Sequence, residues 1–74
     1  MTLLEGVTSG KYKVRKLELE KTVGRRLEAL GLTEGTQVVI LNKKKNGSII
    51  FKVRGTRLAV GKKIAESILV EEEA

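Results

Sequence analysis

The side chains that most often make and break bonds are missing from this chain. Its 74 residues include no histidine, no cysteine and no aspartate, which removes the commonest general base, the thiol nucleophile and half of the carboxylate types. Ser9, Ser48 and Ser67 remain, with no base implied nearby in sequence. Gly24, Gly31 and Gly35 are spaced for a helix cap and a turn, and no helix follows them as a phosphate cradle requires. The expectation is a protein that is not an enzyme and carries no cofactor. Transition metals want imidazole, thiolate or clustered carboxylates, and only Glu71-Glu72-Glu73 offers adjacent acids. We read residues 71–74 as a frayed, solubilising tail and expect no metal site.

What the chain has in quantity is positive charge: 15 lysines and arginines against nine glutamates, a net charge of +6. A basic surface attracts nucleic acid, anionic lipid or an acidic protein face. Arg25 and Arg26 sit on a short helical pattern, and Arg54 and Arg57 flank Gly55. Lys43-Lys44-Lys45 marks a charged hairpin tip. Val39, Leu41 and Ile50 are apolar at positions whose alternation points outward, the makings of a docking patch. These seven, Arg25, Arg26, Val39, Leu41, Ile50, Arg54 and Arg57, are the candidate partner-binding residues.

The elements that must position them follow from hydrophobic period. Leu3 or Leu4, in a short turn boxed by Thr2 and Glu5, lies over one end of the fold. Lys11 to Leu19 is a strand with Tyr12 and Val14 on one face, and Leu17 and Leu19 in the opposite phase imply a bulge or a strong bend. Val23, Leu27 and Leu30 share one helical face, with Thr22 as N-cap and Gly31 as the left-handed stop. Thr33-Glu34-Gly35-Thr36 is a tight turn. Gln37 to Leu41 reads as a central strand, Asn46-Gly47 as a hairpin signal, and Ile49, Phe51 and Val53 as inward residues of the next strand. Arg57 to Val60 and Ile68 to Val70 complete five short strands, with a helical turn between them at Lys62 to Ser67. One domain spanning residues 1–74 is expected: mostly β with short helices, a small five-stranded barrel with an amphipathic helix between strands 1 and 2. Without cysteine, a signal-peptide pattern at Met1-Thr2-Leu3-Leu4-Glu5 or an apolar run of about 20 residues, the expected location is the cytoplasm.

A helix ending in Leu30-Gly31-Leu32, then Gly35-Thr36 and an apolar strand, resembles the FeoA family of small accessory proteins of bacterial ferrous-iron uptake. The similarity continues through Val53-Arg54-Gly55-Thr56-Arg57-Leu58-Ala59-Val60 and through Ala65, Ile68, Leu69 and Val70. The chain departs from that pattern in having no proline, Glu34 standing at the turn, and in Gly61-Lys62-Lys63. The resemblance implies an SH3-like barrel that docks on the membrane transporter FeoB, recruited to the inner face of the membrane. A nucleic-acid-binding SH3-like module, of ribosome-associated or repressor-domain type, is the alternative, and a homo-oligomeric barrel a third reading. Against nucleic acid stands the shortage of rings, one Tyr and one Phe, since barrel-type single-strand binders stack bases on aromatics.

Overall fold

Burial alternates along the apolar segments with the two-residue period of strands that cover a core on one side. A computed structural model describes residues 1–73. The strands are β1 (Lys11–Leu17), β2 (Gln37–Lys43), β3 (Ile49–Val53), β4 (Thr56–Val60) and β5 (Ile68–Glu72). Helix α1 (Lys21–Ala29) joins β1 to β2, and helix α2 (Lys62–Glu66) joins β4 to β5. All pairings are antiparallel, in the order β4-β3-β2-β1-β5. The two edge strands are not paired to each other, so the expected barrel is an SH3-like sheet left open along one seam. The outer edge of β5 is covered by the chain start, where Thr2 bridges Leu69 and the Val70 N–H donates to the Met1 carbonyl at 2.8 Å. That cover protects an edge that would otherwise template pairing.

Inward residues from every strand meet in one cluster: Tyr12 and Val14, Val38 and Ile40, Ile49, Phe51 and Val53, Val60, Ile68 and Val70. Leu3, Leu27, Leu32 and Ala65 close it from the turns and helices. Phe51 is the largest side chain fully withdrawn from water. Complete burial of such a side chain contributes about 1.5–3 kcal/mol, which is why the alternation is obeyed strictly at these positions.

Local chemistry moves several boundaries from their expected places. β1 stops at Leu17, and its bulge falls at Arg15, between the pairs Val14↔Val70 and Lys16↔Leu69. A second bulge, absent from the sequence reading, makes Leu41 the extra residue between Ile40↔Phe51 and Asn42↔Ile50. The helix begins two residues early: Glu20 is extended and occupies the N-cap, placing Thr22 inside α1. Leu30 leaves the buried face, because the helix has ended at Ala29 and Leu30, as the C-cap, is 43% exposed. Leu27 is buried and Val23 partly so.

The acidic end is also corrected. Glu71 and Glu72 are residues of β5, opposite Lys13 and Tyr12, and not a frayed tail. Residue 74 lies outside the described residues.

Candidate functional site

Two stretches far apart in sequence build one corner of the molecule. At the end of α1 the Gly31 N–H donates to the Glu28 carbonyl at 2.9 Å and the Leu32 N–H to the Leu27 carbonyl at 3.0 Å. This crossed pair is the Schellman arrangement and needs the positive φ of 103° that Gly31 supplies. Leu32 is thereby folded back into the core, fully buried. Thr33 to Thr36 then turns through Gly35, with the two threonine hydroxyls 2.7 Å apart and the Gly35 N–H donating to the Val14 carbonyl at 2.7 Å. The second stretch is the β3–β4 hairpin, where Val53 pairs with Thr56 and both loop residues, Arg54 at φ 49° and Gly55 at φ 80°, are left-handed. Two consecutive positive φ values define a type I′ turn, the one whose twist suits a two-residue hairpin. Arg54 accepts backbone strain of about 1–2 kcal/mol there. Its aliphatic stem lies on Gly31, so a Cβ at residue 31 would meet Arg54 Cδ at 3.2 Å.

The second surface is the outer side of the sheet. Register aligns Lys11, Val39, Lys52 and Arg57 in one row across β1, β2, β3 and β4. In the next row Ile50 stands between Asn42 and Ala59. Val39 and Ile50 are half-buried and Leu41 is 37% exposed. Three of the expected docking residues, Val39, Ile50 and Arg57, therefore do share one face, with Leu41 at its bulged margin. Arg54 belongs to the corner instead. Arg25 lines an open groove of about 610 Å³ beside α1, together with Leu17, Leu19, Gly24, Glu28 and Glu34, and Arg26 lies exposed in the last turn of the helix.

Carboxylates are dispersed. Neighbouring residues of a strand point to opposite faces, so Glu71 and Glu72 cannot chelate one ion together. Glu71 instead accepts from Arg15 at 3.4 Å, a half-exposed pair of small energetic weight. No group of three or more metal-ligating side chains occurs among the described residues. Glu5 accepts from the Thr2 N–H at 2.6 Å, and that bond, helped by the N-terminal charge, holds its carboxyl below the usual value. Both rings are spent internally: Phe51 is fully buried, and Tyr12, 3% exposed, receives the Val7 N–H on its hydroxyl at 2.9 Å. They offer no platform for stacked bases.

Three further residues stand on these surfaces. Leu30, inward by helical period, is exposed at the corner, and register brings Lys11 and Lys52 into the row of Val39 and Arg57.

Fold and surfaces together define a small SH3-like module. The FeoA domain model matches residues 1–72. The chain belongs to the FeoA family. It is similar to the Chlorobium tepidum FeoA protein, 31% identical, with a TM-score of 0.93 over 100% of this chain and 71% of that one. A Stenotrophomonas maltophilia FeoA solved with zinc, described as a prokaryotic SH3 domain protein, is 28% identical, with a TM-score of 0.77 over 96% of this chain and 89% of the other. A protein of Methanocaldococcus jannaschii provisionally named Fe(2+) transport protein A is 27% identical over 59 residues, 80% of this chain and 71% of its own. The manganese regulator SloR, 20% identical with a TM-score of 0.82 over 99% of this chain and 34% of the regulator, shares the fold.

Proposed function

We propose that this chain is an accessory protein of ferrous-iron uptake that docks on the cytosolic side of the transporter FeoB and regulates it without catalysis. Family membership supplies the pathway. The observation that carries docking is the convergence of the two resembling stretches at one exposed corner, where Leu30 stands in water beside Gly31 and Arg54. The corner thus offers exposed apolar area at Leu30 and an exposed arginine at Arg54, a residue type enriched in protein interfaces. Arg54 also holds a strained backbone that Asn or Gly would adopt more cheaply, which is consistent with a side chain retained for what it touches. The module works in the cytoplasm and reaches the membrane through this partner.

Retention of solubilised FeoB on the tagged full chain tests the reading. Wild type is expected to retain the transporter, and the pair Leu30→Ser with Arg54→Glu to release it while keeping its circular dichroism. Retention unchanged by that pair removes the corner from the interface, and no retention by wild type overturns the docking.

A further inference from the structure

We propose that the outer face of β2, β3 and β4 is a contact surface for an anionic lipid bilayer. The 31 residues from 35 to 65 carry eight lysines and arginines and no carboxylate, while the other 43 carry seven cations and nine carboxylates. Neither ion pair found among the described residues, Arg15–Glu71 or Lys16–Glu18, involves any of the eight. The register goes further and sets Lys52 directly opposite Arg57. Like charges facing each other across strands destabilise a sheet, and no ion pair among the described residues offsets this one. An anion from outside would.

The occupant is narrowed by what surrounds those charges. Half-buried Val39 stands within the row, between Lys11 and Lys52, and half-buried Ile50 lies between that row and the β2–β3 hairpin, with Leu41 at its side. The hairpin carries Lys44 and Lys45, and the stem of Lys62 rests against its Gly47. Aliphatic groups flanked on two sides by cations match a layer of negative headgroups over hydrocarbon. A nucleic acid has no use for the aliphatic centre, and the two rings that would stack on bases are buried. Of the six cations placed on this face, Lys11, Lys44, Lys45, Lys52, Lys62 and Arg57, five are lysines, point charges suited to a diffuse negative surface, whereas fixed carboxylates of a protein partner favour the arginine fork.

The experiment uses the purified full chain without FeoB, so its outcome is separate from the docking reading. Co-sedimentation is measured with phosphatidylglycerol/phosphatidylcholine vesicles and with phosphatidylcholine alone, at low and physiological salt. Binding is expected to the anionic vesicles only, weakening with salt. Each cation near the surface is worth roughly five-fold in partition, so Lys52→Ala with Arg57→Ala should lose about thirty-fold. Lys16→Ala with Lys21→Ala, the same charge change outside the face, should lose less than five-fold. Lys52→Glu, the same change of two charges, should lose about as much binding while melting at a higher temperature than wild type, because it faces Arg57 as an ion pair; this separates lost binding from lost folding. Absent vesicle binding, equal binding to neutral vesicles, or equal losses from the two double variants overturns the proposal. Displacement from vesicles by duplex DNA or by polyglutamate at matched charge concentration also overturns it, in favour of nucleic acid or an acidic protein.

Discussion

The helix-cap corner and the outer sheet face are both exposed and both basic, yet they are built from different materials. The corner is made of backbone: positive φ at Gly31, Gly35, Arg54 and Gly55, with a crossed pair of hydrogen bonds ending α1. The outer face is made of composition, ordinary strand positions whose side chains happen to be lysine, arginine and aliphatic. Shape at the corner depends on which residues the backbone permits. Charge on the face can be altered one side chain at a time with the fold intact.

The sharpest way to break that contrast is at Gly31. Gly31→Val forces a β-branched residue to φ 103° and presses its Cβ to 3.2 Å from Arg54 Cδ, for an expected loss of about 3 kcal/mol. Chemical denaturation checks it, and a loss below about 1 kcal/mol would mean that the corner can repack. Arg54→Asn is the converse. It installs the Asn-Gly pair that type I′ turns prefer and should stabilise by about 1 kcal/mol, a rise in Tm of roughly 4–8 °C for a domain of this size. A fall in Tm would show that the Arg54 stem on Gly31 outweighs the strain.

On the outer face the expected changes are smaller. Lys52→Glu replaces a repulsive cross-strand pair with an attractive one and should add about 0.2–1 kcal/mol, read as a shift in denaturant midpoint at low salt that shrinks as salt is added. The smallest effect concerns Glu5, which belongs to neither surface. Its carboxyl titrates lower in the folded state than in the unfolded chain because the Thr2 N–H bonds the charged form. Its contribution is therefore complete above the ordinary carboxylate pKa and disappears as pH falls through the lowered one. Glu5→Gln should therefore lower stability slightly at neutral pH, leave it unchanged at acid pH, and so flatten the acid limb of the stability curve.

Much of the fold was legible because it is local. Gly31 and Gly35 announced their turns since few other residues tolerate those dihedrals, and the phase change after Val14 announced a bulge since side chains in a strand alternate without exception. The misses were places where a neighbour decided. The bulge at Leu41 arises from pairing with β3, and no phase change marks it because Val39, Ile40 and Leu41 are all apolar. Glu71 and Glu72 become strand because β1 offers them partners at Lys13 and Tyr12.

By itself the sequence determined the inventory: five strands, a short helix with a glycine stop, an apolar set large enough for one core, and a chain without histidine, cysteine or aspartate. Those follow from dihedral preference, period and chemistry, each read within a few residues. Only the tertiary structure decided which residues meet, placing Arg54 on Gly31 and drawing Lys11, Val39, Lys52 and Arg57 into a single row. Register is the physical reason. It is set by pairing between distant segments, and a slip of one residue would have turned the cations of any one strand to the other side.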